Sequence, residues 1–424
     1  MFQRTVLDNQ LRVLTSAMPH STSVSVTISV GAGSRHEPDE LAGLSHFLEH
    51  LPFKGTESWP TARHVSEAIE GVGGIMNAST DREVTVFWCK VARLHFQQAF
   101  SVLLDLVLHP LLDPQEMEKE REVIQEELRM TYDYPSHRVD LLIDELLWPE
   151  QAMGRDVGGT LESVENITLE DVRDYMVQQY SPANTVIAVA GNVDHAQVVD
   201  MVSQATRDWE PRASLDWQPV VDYYGDRGIG AVARVEQRQA DQAHICLGLP
   251  GISLTDPDRY ALAIFNGVLG DGMSSRLFLN LREEQGLAYD VSSSLNHFRD
   301  CGSLVVYCGV EPRKAPEAVK AVVHELAGML APVPPAELNK AREYTKGRLL
   351  LRMEDTRSVA AWLGAQELLL GRVYTIDEAV QMIDGVTAED VARVGDRILD
   401  SNKLRLAVVG PNEGEKELQG LLTF

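Results

Sequence analysis

The sequence predicts an α+β fold made of two tandem homologous domains, each a mostly antiparallel sheet backed by helices. Three observations carry that expectation. Val24-Ser25-Val26-Thr27-Ile28-Ser29-Val30 alternates apolar and hydroxyl side chains, as a strand with one buried face does. Helical spacing of apolar residues follows at 62–72, 94–108 and 114–132. The chain also repeats itself. Ile167-Thr168-Leu169-Glu170-Asp171-Val172 returns as Val386-Thr387-Ala388-Glu389-Asp390-Val391, and Ala188-Val189-Ala190-Gly191 returns as Ala407-Val408-Val409-Gly410, both 219 residues on. The helix opening at Pro114 has its counterpart at Pro335, 221 residues on.

The repeat sets the domain boundaries: 1–209 for the first copy, a Pro- and Gly-containing linker over 210–230, and 231–424 for the second. Within the first copy, Val6 to Leu14 reads as a hairpin turning at Asp8-Asn9. The alternating strand ends at Gly31-Ala32-Gly33, and a short helix carries Leu44 to Leu51. An amphipathic helix near 62–72 stops at Gly73-Gly74. Strands follow through Met76-Asn77-Ala78 and from Val84 to Val91, then helices over 94–108 and from Pro114 to about Tyr132.

At 424 residues the chain exceeds a single ordinary core. Its 44% hydrophobic and 24% charged residues are globular values. A net charge of −25 argues against nucleic acid and anionic membrane as partners, and favours cationic peptides. The same charge serves solubility equally well. Cys89, Cys246, Cys301 and Cys308 lack C-x-x-C spacing and read as buried thiols in a reducing compartment. Met1 to Leu7 lacks the apolar run of a signal peptide, and nothing later approaches a membrane span, so a cytoplasmic protein is expected.

The chemistry gathers in Leu44-Ser45-His46-Phe47-Leu48-Glu49-His50-Leu51. At ~100° per residue His50 lies about 40° round the helix from His46, with Glu49 beside both. Zinc takes neutral imidazole nitrogens and in catalytic sites keeps a position for water, whose pKa falls to about 7. A neighbouring glutamate can accept that water's proton. H-x-x-E-H is a zinc hydrolase signature, yet chance produces it in roughly one chain of this composition in a hundred. A third protein ligand is therefore required.

The second copy serves as an internal control. At an offset of 219, His46, Glu49 and His50 become Phe265, Val268 and Leu269, a helix face that packs and binds nothing. Buried polar groups are costly unless satisfied, so the first copy has a use for them that its twin lacks. The helix from Pro114 places Glu120 and Glu127 seven residues apart on one face. Their counterparts are Ala341 and Arg348, and arginine cannot bind zinc. Glu127 is the expected third ligand and Glu120 a carboxylate that orients an imidazole. Glu126 should point elsewhere, and Glu118 and Glu122 fit a solvated face.

With both parts in view, the chain resembles the pitrilysin and insulinase group (M16) of zinc metallopeptidases, especially short two-domain members akin to mitochondrial processing peptidase. The resemblance rests on His46-Phe47-Leu48-Glu49-His50 followed by Phe53-Lys54-Gly55-Thr56, on Asn77-Ala78, and on Glu120-Arg121-Glu122-Val123-Ile124 running to Glu127. In the second half it rests on Gly272-Met273-Ser274-Ser275-Arg276-Leu277 and on Leu281 to Tyr289. It implies one zinc per chain held by His46, His50 and Glu127, with Glu49 as general base in peptide hydrolysis. Asn77 and Ala78 would lie on a sheet edge that takes the substrate as an added strand. Arg282 and Tyr289 match the pair that contacts substrate and steadies the oxyanion. It further implies an enclosed chamber that admits peptides or unfolded polypeptides, in a homodimer where Arg282 and Tyr289 serve the other subunit's zinc. A non-catalytic scaffold subunit, or half of an obligate heterodimer, is the alternative. Pro52 departs from the family pattern and predicts a kink just beyond His50, with Leu51 biased away from helix.

Overall fold

The computed structural model describes residues 2–225, 227–412 and 414–424. In chain order the strands are β1 (Phe2–Val6), β2 (Arg12–Ala17), β3 (Ser23–Val30), β4 (Ile75–Thr80), β5 (Thr85–Ala92), β6 (Thr185–Gly191), β7 (Val232–Gln237), β8 (Ala243–Pro250), β9 (Ala288–His297), β10 (Gly302–Val310) and β11 (Arg405–Gly410). The helices used below are α1 (Leu44–His50), α2 (Ala62–Glu70), α3 (Phe96–Leu108), α4 (Pro114–Asp133), α5 (Pro135–Leu147), α6 (Leu161–Asn166), α7 (Leu169–Gln179), α8 (His195–Ala205), α9 (Arg259–Leu269), α10 (Ala315–Gly328), α11 (Pro335–Arg352), α12 (Thr356–Leu370), α13 (Ile376–Gly385) and α14 (Ala388–Ile398). The fold is α+β, as expected, with two sheets and a turn at Asp8-Asn9.

The repeated hexapeptide has a local explanation. Thr168 caps α7 by accepting from the Asp171 N–H while the Asp171 carboxylate takes the Thr168 N–H at 2.8 Å. Thr387 and Asp390 make the same reciprocal pair at α14. Two orphan donors are satisfied at each helix start, so the motif fixes where both helices begin.

The chain divides into two compact units. The first takes residues up to Leu128, Asp156–Gln218 and Leu350–Thr375; the second takes Arg129–Arg155, Pro219–Leu349 and Ile376–Phe424. The repeat-based division at 1–209, 210–230 and 231–424 follows the duplicated sequence, whereas the packing assigns α5 to the second unit and α12 to the first.

In the first unit the strand order is β1-β2-β6-β3-β5-β4, with β2 and β6 parallel and the other neighbours antiparallel. Val24, Val26, Ile28 and Val30 of β3 point into a core shared with Phe47 and Leu48 of α1, Leu103 of α3 and Ile124 of α4. The alternation predicted one buried face for β3, but the hydroxyl face is buried too: Ser25, Thr27 and Ser29 are all covered. The cover is α12, whose Thr356 hydroxyl lies 2.8 Å from Ser25 Oγ. At Gly364 an added Cβ would lie 2.9 Å from Ser29 Oγ, so small side chains on both elements permit the close approach. Arg4 anchors the far end, reaching the buried Glu367 carboxylate through Nε at 3.0 Å and Nη2 at 2.9 Å.

The second unit has the order β7-β11-β8-β10-β9, with β7 and β11 parallel. One face carries a core including α9 and α10; the other takes α5, whose Val139, Leu142, Ile143 and Leu146 pack with Cys246, Val305, Ala407 and Val409. Cys89, Cys246 and Cys308 are buried free thiols, while Cys301 is only half-buried. Among the described residues no helix is long and apolar enough to cross a membrane.

Candidate metal centre

Helix α1 buries Leu44, Phe47 and Leu48 against the core and keeps His46, Glu49 and His50 half-buried on its remaining surface. Helix α4 presents Glu120 and Glu127 to them. Its placement depends on Arg121, a buried side chain whose Nη2 donates to the Ile167 carbonyl at 2.9 Å and whose guanidinium lies 5.5 Å from the Phe47 ring centre. The spacing of residues gives Arg121 no role beyond its pair with Glu118 on the same helix, at 3.0 and 3.1 Å, because the carbonyls that anchor it lie more than forty residues away.

His46 Nε2 and His50 Nε2 are 3.2 Å apart, and Glu127 Oε2 lies 3.8 Å from the first and 3.7 Å from the second. Zinc bonds of ~2.0–2.2 Å in a tetrahedron put ligand atoms about 3.3–3.5 Å from one another. The three donors thus fit a single zinc ion with shifts of a few tenths of an ångström. Among the described residues they form the one such cluster of histidine, cysteine and carboxylate groups. Glu126 is not part of it, and Glu118, Glu122 and Glu126 are exposed.

The electrostatics suit a cation. Burial, helped by the charge of His50, pulls His46 down to about 4, so its ring is neutral at pH 7. Burial also lowers His50, but the hydrogen bond it donates to Glu120 and the charges of Glu127 and Glu49 outweigh it and leave the ring raised. His50 Nδ1 lies 3.1 Å from Glu120 Oε2, which fixes the ring and turns Nε2 toward Glu127. Lys54 Nζ holds the other Glu120 oxygen at 2.5 Å. Burial raises the Glu49 carboxyl above its ordinary value, with hydrogen bonding at Thr80 and the charge of His50 pulling the other way.

Pro52 does not turn the chain out of helix, as the sequence had suggested. Leu51 keeps helical angles (φ −59°, ψ −39°) and α1 tightens into a 3₁₀ turn over Leu51–Lys54, whose early position for Pro52 requires no N–H from it. That turn delivers Lys54 to Glu120 and stacks Phe53 over Phe87 with ring centres 6.4 Å apart. In the sequence Lys54 is one residue of the Phe53-Lys54-Gly55-Thr56 motif; its contact with Glu120 depends on how two helices pack.

The remaining site residues fall in two places. Asn77 and Ala78 lie on β4, an edge strand bonded to β5 alone; Asn77 is exposed, and its Oδ1 accepts the Ala78 N–H at 2.9 Å. In the second unit Arg282 sits in a wide helical segment over Phe278–Glu284, with its guanidinium 5.3 Å from the Tyr289 ring centre and 4.8 Å from that of Phe278. Tyr289 is 76% exposed. The structure therefore gathers His46, Glu49, His50, Glu120 and Glu127 in the first unit, and pairs Arg282 with Tyr289 in the second.

Residues 12–161 match the family model described as insulinase (peptidase family M16), and 166–344 match the model described as the peptidase M16 inactive domain. A protein of Streptomyces coelicolor, described as an uncharacterized zinc protease, is 36% identical over 96% of this chain and 89% of its own length. The zinc protease YmxG of Bacillus subtilis is 33% identical over 97% of this chain and 99% of its own. The crystal structure of a protease from Helicobacter pylori superposes with a TM-score of 0.91 over 97% of this chain and 99% of that one. At 21% identity, the last likeness is one of fold.

Proposed function

The chain belongs to the insulinase family of peptidases, M16, whose relatives are named zinc proteases, and from that premise we propose that it is a zinc metalloendopeptidase with Glu49 as general base. The observation that carries this reading is the convergence of Glu127 Oε2 of α4 on His46 Nε2 and His50 Nε2, which share the short helix α1 with Glu49. Zinc held by those three groups supplies a Lewis acid and acidifies a water toward neutral pH. Glu49 accepts a proton from the attacking water and passes it to the amine nitrogen as the peptide C–N bond breaks. The upward direction of its carboxyl favours that role, because a proton shuttle works better as its pKa moves toward the operating pH. Glu120 orients His50 and Lys54 holds Glu120.

The substrate lies along β4 as an added strand, with Asn77 and Ala78 at its edge; backbone pairing of that kind accepts many sequences. The enzyme works as a homodimer around an enclosed chamber for peptides and unfolded polypeptides, and Arg282 and Tyr289 complete the zinc site of the other subunit. Support for their role is that among the described residues the second unit holds no cluster of metal-binding side chains, yet keeps this pair together with Tyr289 exposed. Free cysteines throughout support work in the cytoplasm.

The test is digestion of a peptide library containing matched basic and acidic members, read by mass spectrometry, for the wild type and Glu49→Gln. The variant should keep its zinc and lose about 10²–10⁴-fold in turnover, and basic peptides should be cleaved faster at low salt. Near-normal turnover by metal-loaded Glu49→Gln would exclude Glu49 as the base.

A further inference from the structure

A helix of seven residues has little stability of its own, yet α1 must hold two metal ligands a turn apart. Its first N–H groups have no partner within the helix. The usual remedy is a Ser, Thr, Asp or Asn at the N-cap, but here the N-cap is Gly43 in the left-handed region (φ +97°), which has no side chain to offer. An added Cβ at Gly43 would lie 2.4 Å from the Gly158 carbonyl oxygen, so the position is closed to any other residue.

The missing cap comes from Glu37. Its Oε2 accepts the Gly43 N–H at 2.8 Å and its Oε1 accepts the Ser45 N–H at 2.5 Å. Glu37 is only 5% exposed, so both acceptor oxygens meet the positive end of the helix out of reach of competing solvent. Neighbouring contacts fix the same turn: Ser163 Oγ donates to the Ala42 carbonyl at 2.6 Å, and the Ser45 and Tyr175 hydroxyls are 2.8 Å apart. Ser45 directly precedes His46.

The second unit handles the equivalent helix differently. There α9 has 11 residues and starts at Arg259, four positions earlier than an offset of 219 from Leu44 would place it. Asp256, at the position matching Glu37, accepts the Asp258 N–H at 2.9 Å and pairs with Arg397 at 2.7 Å. Where the helix face carries hydrocarbon, no buried carboxylate grips its first turn.

We propose that Glu37 is a positioning residue for the metal site: by clamping the first turn of α1 it sets the height and rotation of His46 and, through the helix, of His50. The role rests on the reading of His46, His50 and Glu127 as zinc ligands. Glu37→Gln keeps the volume and one acceptor but turns an NH₂ toward a backbone N–H; Glu37→Ala removes both acceptors.

The experiment uses the full chain and two measurements: zinc affinity by competition with a chromogenic chelator, and amide hydrogen exchange of the metal-free protein, comparing peptides covering 43–50 with peptides covering α9. Zinc affinity should fall about 10-fold for Glu37→Gln and up to about 100-fold for Glu37→Ala, the range that residues supporting metal ligands carry. Exchange should quicken across 43–50 and stay unchanged in α9. Wild-type affinity in folded Glu37→Gln would overturn the proposal, and so would equal acceleration in both units, which would make Glu37 a general stabiliser. A wild type that takes up no zinc would instead remove the metal reading, and this role with it.

Discussion

Helices α1 and α9 occupy corresponding places in the two copies and have opposite characters. In α9 the face corresponding to His46, Glu49 and His50 is Phe265, Val268 and Leu269, buried to within 2%. In α1 that face holds two imidazoles and a carboxylate, one imidazole pulled down and the carboxyl pushed up by burial. Helices α4 and α11 differ in the same sense: Glu120 and Glu127 face Ala341 and Arg348 across the repeat. The fold is thus satisfied by hydrocarbon at the positions matching His46, Glu49 and His50. Ionisable groups there are an addition expected to cost the metal-free protein stability, a cost that the proposed zinc would offset.

The largest effect that would break or sharpen this contrast concerns division of labour between the copies. Glu49→Gln subunits mixed with Arg282→Ala subunits should recover activity from near background, because each mixed dimer holds one site with an intact metal centre and an intact arginine. Random exchange makes about half the dimers mixed with one good site in two, hence about a quarter of wild-type activity. Subunit exchange without recovery, with both parents dimeric and zinc-loaded, would contradict completion in trans.

A smaller effect comes from transplanting the twin's face. His46→Phe with Glu49→Val and His50→Leu should abolish zinc binding while leaving the metal-free protein as stable as the wild type or up to about 4 kcal/mol more so, as when buried ionic groups yield to hydrocarbon. The wild type should gain about 4 kcal/mol from zinc at a thousand times its Kd, and the transplant nothing. Denaturant unfolding with and without zinc measures both. A transplant much less stable than the metal-free wild type would mean that the polar face is structural.

The smallest effect is a proton count. His46, pulled down to about 4, is neutral at pH 7 and has no proton to give, whereas His50, raised above its ordinary value, holds its proton to higher pH and there proton and metal compete for the ring. Zinc affinity should therefore fall as pH drops through the pKa of His50. Calorimetry in buffers of different ionisation enthalpy should find the protons released per zinc rising from near none above that pKa to about one a pH unit below it. Two at the lower pH would mean that His46 is also charged, and none at any pH down to about 6 would mean that His50 is not raised.

What could be read from the sequence was what depends on local geometry. The spacing of His46, Glu49 and His50 fixes their relation once a helix forms, and seven residues put Glu120 and Glu127 on one face. Strand alternation located β3 but could not reveal that its hydroxyl face lies under α12, a helix some 330 residues later. A period of two says that two faces differ, not what covers either. Glu37 escaped for a related reason: it caps from outside the helix, with no Ser-x-x-Glu pattern to mark it. Arg121 and Lys54 act through tertiary contacts that no spacing rule encodes. Pro52 misled because a proline early in a 3₁₀ turn continues the chain's direction where a proline deeper in an α-helix would break it.

The central claim, that the first copy alone holds a catalytic metal and does so through Glu127, is most directly tested by metal analysis of the full-length protein with Glu127→Ala and Glu126→Ala beside it. One zinc per chain is expected in the wild type and in Glu126→Ala, and close to none in Glu127→Ala after dialysis. Zinc retained by Glu127→Ala and lost from Glu126→Ala, or two zinc ions per wild-type chain, would contradict it.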